Sequence, residues 1–408
     1  MKRSGNLLLL FLSLGIAFAL CEIGLRLVGF SYPNFYISDE YTGSRLRPGS
    51  QGWYRNEGEA YIRINSDGLR DHEHSKVKPA GTIRIAILGD SYAEALQVPL
   101  EATFWAHLER ELNGCHAFGD KKVEVLNFGV SGFGTAQELQ MLRYRVWDYD
   151  PDIVLLTVTT GNDVRNNSIF LETQRSIFLE TQRHSPFFRL KNGDLVLDDS
   201  FRKLPGHKPK ESLPWQFYRS IANSSRTVQL FSKVKNRSAI GNIGPKAQAK
   251  NSAAERANLA AEEGLDETIY FEPPNDEWRE AWEITEKLIA KIHEEVVARK
   301  KRMIVVTLSS GVQVHPAAGI QERYVKERSI EDLFYPDMRI KAFGEKHGIE
   351  VIMLAPSLAK YARASGKFLH GFEKTGLGRG HWNGEGHKRA GELIANSLCP
   401  TRKTAGFH

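Results

Sequence analysis

The sequence predicts an α/β protein, a parallel β-sheet with helices on both faces, preceded by one apolar N-terminal helix. Three observations carry this. Short apolar runs alternate with longer stretches whose apolar residues recur at helical spacing. The short runs are near-continuous rather than alternating, as strands covered on both faces must be. The composition is that of a globular chain: of 408 residues, 41% are hydrophobic and 25% charged.

The elements follow in order. Residues 83–88, closed by Gly89, read as a buried strand, and residues 102–112 as a helix. Residues 123–126 form a second strand, 135–147 a helix and 153–158 a third strand. After a long interval come a helix at 278–299, a strand at 303–308, a helix at 338–346, a strand at 351–354 and a last helix at 384–398. Right-handed crossovers between parallel strands place any site at their carboxyl ends.

Three regions lie outside this pattern. In residues 1–30, Lys2 and Arg3 precede an apolar run, 7–21, which alone makes roughly 22 Å of helix. Extended to Phe30 it reaches about 36 Å, enough for the ~30 Å hydrocarbon core. Glu22 and Arg26 stand four apart and are expected to pair or snorkel. Ala17-Phe18-Ala19 also fits a cleaved signal peptide. An uncleaved anchor is the preferred reading because the apolar pattern continues past that site, whereas Leu20 is too bulky to precede a lipidated Cys21. Either way the basic start stays inside and the rest is exported. The expected location is therefore a single-pass inner-membrane protein with its main domain on the outer side.

Residues 31–80 are polar and turn-rich, a lead-in from membrane to a domain at 81–400. Residues 164–274 are too long for a connection and predict an insertion, read as a lid over the site, with a mobile middle at 233–264. Within it an octapeptide repeats in tandem, at 168–175 and 176–183. Eight residues rotate a helix face by about 80° but keep a strand in phase, so this stretch is a loop, a strand or a helix outside the core. The net charge of +6 is mild and unstriped, which argues against nucleic acid as a partner. No metal or cofactor is expected.

The chemistry gathers at the strand ends. The first strand empties into Gly89-Asp90-Ser91, where a serine between strand and helix lifts its hydroxyl to the sheet edge. The second ends in Asn127-Phe128-Gly129-Val130-Ser131-Gly132, where glycine lets a backbone N–H approach a ligand. The third ends in Thr160-Gly161-Asn162-Asp163, whose Asn162 amide can donate to an oxyanion. His381-Trp382-Asn383-Gly384-Glu385-Gly386-His387 precedes the last helix and brings a base to the same edge.

These four segments, in this order, resemble the four blocks of the SGNH (GDSL) hydrolase superfamily. The resemblance spans residues 81–398 apart from the insertion. The lead-in through Asn65-Ser66-Asp67-Gly68-Leu69-Arg70, with the N-terminal anchor, looks like bacterial envelope-facing members. It implies a flavodoxin-like α/β/α sandwich and acyl-ester hydrolysis or transfer, with Ser91 as nucleophile, His381 as base, and Gly132 and Asn162 as oxyanion donors. His387 is the alternative base, but the family places a structural histidine there. The implied substrate is an acylated envelope glycan or lipid, with O-acetyl or short-chain groups the expectation. An O-acyltransferase for an exported polysaccharide and an inactive glycan-binding domain are the alternatives.

Two positions depart from the family. A glycine after the serine is Ala95, and the acid three residues before the histidine is Gly378. Either a Ser91–His381 dyad or a substitute is then expected, with Glu373 the better candidate, Glu385 the lesser, and a backbone carbonyl equally open. In a flavodoxin-like order the helices ending near Cys115 and Cys399 are neighbours, so these two cysteines are expected to pair.

Overall fold

The computed structural model describes residues 2–173, 185–204, 221–241 and 265–399. Helix α1 (Lys2–Leu27) leads into two antiparallel hairpins, β1 (Tyr36–Asp39) with β2 (Gly43–Leu46), and β3 (Gln51–Tyr54) with β4 (Ala60–Arg63). The alternating unit follows: β5 (Thr82–Leu88), α2 (Ser91–Glu94), α3 (Phe104–Gly114), β6 (Lys122–Asn127), α4 (Thr135–Tyr144) and β7 (Ile153–Thr159). The inserted region holds α5 (Asp163–Asn166), α6 (Ile169–Thr173), the hairpin β8 (Phe187–Lys191) and β9 (Asp194–Asp198), and α7 (Arg226–Gly241). The chain then runs through α8 (Asp276–Ala298), β10 (Arg302–Leu308), α9 (Ala318–Arg328), α10 (Tyr335–His347), β11 (Glu350–Met353) and α11 (Ala355–Ser365). A last hairpin, β12 (His370–Phe372) with β13 (Gly376–Trp382), precedes α12 (Gly384–Leu398).

Five strands make the central sheet, in the order β6-β5-β7-β10-β11 and all parallel. In chain order this is 2-1-3-4-5, the flavodoxin-like arrangement, whose ligand site lies outside the carboxyl ends where the order reverses. Because side chains alternate across a strand, each strand feeds two cores. Ile85, Ile87, Val123, Val125, Leu155, Ile304 and Val306 pack on one face against α3, α11 and α12. Ala86, Leu88, Leu126, Val154, Leu156 and Val305 pack on the other against α4 and α8. Each fully buried Ile, Leu or Val contributes about 1.5–3 kcal/mol, so covering both faces is the main stabilisation of the sheet.

Cys115 and Cys399 form a disulfide with Cα atoms 6.1 Å apart, joining the ends of α3 and α12. Within α1, Leu9–Leu27 is long and apolar enough to cross a membrane, and none of that window is buried inside the protein. Glu22 and Arg26 pair as expected, Nε to Oε1 at 2.9 Å. Glu22 does more, however. It also accepts the Arg226 and Thr227 backbone N–H groups at 2.9 Å and the Ser225 hydroxyl at 2.9 Å, capping the start of α7.

Part of the insertion lies among the described residues, and the rest of the expected lid falls outside them. The insertion's hairpin β8–β9 packs beside α4 and α8, α7 lies along α1, and the return at Leu265 and Asp266 meets Gly161. The first octapeptide copy runs into helix α6, whereas the second copy and most of the segment predicted to be mobile lie outside the described residues.

Candidate active site

The serine, the asparagine and the histidine come from three different elements at one sheet edge. Asp90 follows β5 and caps α2, its side chain accepting the Tyr92 N–H at 2.9 Å, which places Ser91 at the first position of that turn. Asn162 follows β7 and donates through Nδ2 to Asp90 Oδ2 at 3.3 Å, so its amide sits beside the serine turn. Gly132 lies in the turn after β6 at φ +79°, and its neighbour Ser131 hydrogen-bonds Glu94 at the end of α2. His381 is the penultimate residue of β13, three before the start of α12, and its ring packs on Tyr92 with centroids 5.0 Å apart.

Ser91 Oγ lies 2.8 Å from His381 Nε2. On the other side of the ring, His381 Nδ1 lies 2.5 Å from Glu57 Oε2, and the His381 backbone N–H donates to Glu57 Oε1 at 2.9 Å. Burial by itself would raise the Glu57 carboxyl, but the hydrogen bonds and charge of His381 outweigh it and hold the carboxyl below its ordinary value. An ionised carboxylate only accepts, so Nδ1 carries the proton. In the neutral ring Nε2 is then the acceptor and the Ser91 hydroxyl the donor.

Glu57 corrects the expectations for the missing acid. There is no bare dyad, and the group on Nδ1 is neither Glu373 nor a backbone carbonyl. Glu373 is exposed on the turn between β12 and β13, while Glu385 is shared by Tyr361, Lys367 and Arg389. The glycines of β13 give the physical reason. Gly378, the position of the family acid, has φ +85°, and a Cβ there would lie 2.8 Å from the His315 ring. Gly380 has φ +77°, and its Cβ would lie 2.1 Å from Glu57 Oε1. The strand is thus shaped to refuse a side chain from its own sequence and to admit one from the β3–β4 turn. The alternation Gly376-Leu377-Gly378-Arg379-Gly380 was the available signal that another segment approaches closely; nothing in the Asn56-Glu57-Gly58 turn itself marks an acid.

The lead-in is therefore part of the site and more than a spacer. Arg70, fully buried, donates to the carbonyls of Glu94 at 2.9 Å and Val98 at 2.5 Å, locking residues 65–71 over the serine turn. Asp71 Oδ2 accepts the Asn127 N–H at 2.8 Å at the end of β6. Glu94 is fully buried, accepts the Tyr36 hydroxyl at 2.9 Å, and burial pushes its carboxyl up to about 7. Beneath the serine turn, burial likewise raises the carboxyls of Asp90, Glu138 and Asp163. For Glu138 and Asp163 the neighbouring charge of Asp90 adds to it. Ala95, where the family has glycine, adopts φ 53° and ψ 44° in a fully buried position.

His387 is not placed to act as the base. It is buried, accepts the Phe104 N–H at 3.3 Å and stacks on the Phe104 ring, and so fastens α12 to α3. Burial depresses its basicity well below the ordinary range.

No protein-family model matches the chain, and no curated protein does. Solved structures do match. An alpha/beta hydrolase enzyme from the metagenome of Lake Arreo, Spain, aligns at 13% identity and TM-score 0.37, covering 81% of this chain and 100% of that one. An acetyl xylan esterase aligns at 11% and 0.37, covering 77% and 99%. A catalytic mutant of an acetylxylan esterase from Geobacillus stearothermophilus aligns at 10% and 0.37, covering 79% and 96%. Likeness at these scores is too slight to transfer a function. The sheet order and the side-chain geometry carry the reading of the site instead.

Proposed function

We propose that this protein is a membrane-tethered serine hydrolase that cleaves acyl esters on envelope glycans or lipids through a Ser91–His381–Glu57 triad. The observation that carries the reading is the unbroken line of hydrogen bonds from Glu57 through the imidazole to Ser91. Glu57 holds the tautomer in which Nε2 accepts. His381 takes the Ser91 proton as Oγ attacks the ester carbonyl, and the imidazolium formed is stabilised by the carboxylate. The oxyanion is received by the Ser91 and Gly132 N–H groups and the Asn162 amide. His381 then protonates the leaving alkoxide, and water or a sugar hydroxyl, deprotonated by the same ring, releases the acyl group.

The test is labelling with a fluorophosphonate probe together with p-nitrophenyl acetate turnover. Wild-type protein labels at Ser91 and turns over, and Ser91→Ala loses both while keeping its melting temperature. Undiminished turnover in that variant ends the reading. Absence of labelling in the wild type would leave only a glycan-binding domain. Product partitioning with a sugar acceptor separates hydrolysis from transfer.

A further inference from the structure

The end of α1 is a built junction of three parts of the chain. Arg26 donates to the Ser224 carbonyl at 2.7 Å, and Arg226 reaches Ser31 Oγ at 3.3 Å and Gln229 Oε1 at 2.8 Å. Arg55, at the end of β3, donates to the Gly29 carbonyl at 2.5 Å, and the Trp53 N–H donates to Ser31 Oγ at 3.1 Å. Between α1, the β3–β4 hairpin and the start of α7 lies a polar pocket of about 430 Å³, lined by Arg26, Arg226, Ser50, Gln51, Tyr61 and Asn223.

The outer face of the hairpin continues it. Trp53 and Tyr61 pack edge to face at 5.6 Å and remain 36% and 41% exposed. The Arg55 guanidinium lies over Trp53 at 4.6 Å and that of Arg63 over Tyr61 at 5.7 Å. On α7, Lys233 lies over the rings of Phe30 and Tyr32, with Phe231 68% exposed. The carboxylates among these cations, Glu22 and Glu59, are each already shared with an arginine of the same group. Cations backed by half-exposed aromatic rings, at the last turn of an apolar helix, match the head-group layer of a bilayer. There Trp and Tyr settle and each cation gains from anionic lipid.

We propose that this junction binds the phosphodiester head group of an anionic membrane phospholipid, held between Arg26 and Arg226 with Trp53 and Tyr61 at the bilayer surface. The proposal rests on α1 being a membrane anchor.

The test uses the full chain, purified in detergent and offered phosphatidylglycerol and phosphatidylcholine of matched acyl chains, with retained lipid measured by native mass spectrometry. The wild type retains phosphatidylglycerol on the order of tenfold over phosphatidylcholine, as two favourable cations at an anionic surface allow. Arg226→Gln brings the ratio below about threefold without changing p-nitrophenyl acetate turnover. Should that variant fail to fold, Arg63→Gln on the exposed hairpin face lowers the ratio in its place. Equal retention of the two lipids overturns the proposal, as does a preference that survives the substitutions. Displacement by millimolar inorganic phosphate also overturns it, by identifying a site for free anions. Alkaline carbonate extraction of native membranes is run beside it: release of the chain refutes the anchor and the proposal with it, whereas retention with equal lipid ratios refutes the proposal alone.

Discussion

The two nitrogens of the His381 ring face regions of different kinds. On the Nε2 side, Ser91 is fixed by β5 and α2, elements packed into both hydrophobic cores, and Asn162 by the adjoining end of β7. On the Nδ1 side, Glu57 stands on the turn of a two-stranded hairpin outside the main sheet, tied down by bonds to Gly29 and Ser31, just past α1, and to β13. The first side inherits its position from strand burial. The second depends on the rest of the chain for its support, because a lone two-stranded hairpin is marginal in water. One histidine ring can thus face a serine held by rigid sheet elements on one side and a carboxylate held by a peripheral hairpin on the other.

The sharpest way to break this comparison is at the acid. With Glu57→Gln, an amide can donate to Nδ1 and so select the tautomer whose Nε2 is already protonated. Turnover of p-nitrophenyl acetate should fall by about 10³–10⁴, the loss seen when a triad acid becomes an amide. Glu373→Gln, on the neighbouring turn, should change it less than about twofold. Equal effects of the two would show that Nδ1 needs no carboxylate.

On the other side of the ring, Asn162→Ala should cost on the order of 100-fold in kcat, the scale for one oxyanion donor. The loss should appear in kcat rather than KM, since the contact forms in the transition state. A change confined to KM would assign Asn162 to substrate binding instead.

The disulfide tests the scaffold apart from the site. Cys399→Ser should lower unfolding stability by roughly 2–5 kcal/mol in a denaturant titration. Turnover at 25 °C should stay near wild type, because α3 and α12 are joined at ends remote from the hairpin. A parallel collapse of activity would mean that the scaffold and the acid's segment are not separable.

Glu94 lies where the two regions meet, bonded to Tyr36 of the lead-in and Ser131 of the sheet edge. Burial raises its carboxyl from 4.5 to about 7, so folding takes up a proton between those values. Stability from this group is whole below about pH 4.5 and declines as pH rises to about 7. The expected cost is up to about 3 kcal/mol, flat above that. Melting curves of wild type and Glu94→Gln should diverge over that window, the wild type losing ground as pH rises. Parallel curves would mean the carboxyl is ionised at ordinary pH.

Legibility in the sequence followed the same division. Continuous apolar runs located all five sheet strands to within a residue or two of their ends, because burial on both faces is a local compositional demand. The motifs at Ser91, Gly132, Asn162 and His381 were readable as well. For the first three, a turn after a buried strand needs particular residues at particular places, and the strand order brings those turns to one edge; His381 was marked instead by its place just before the last helix. The hairpins of residues 36–63 were missed because their strands are only four residues each and their polar, glycine-punctuated composition is also that of a linker.

Glu57 marks the boundary between the two. Nothing near position 57 distinguishes its carboxylate from other polar residues of the lead-in, and it lies 324 residues from its partner. The sequence could state that β13 lacks an acid and is crowded with glycine, since both are properties of neighbouring residues. Which carboxylate enters the space those glycines leave depends on where the hairpin docks. That docking is decided by Arg70 on the serine loop, Asp71 on β6 and the end of α1, contacts that exist only once the chain is packed.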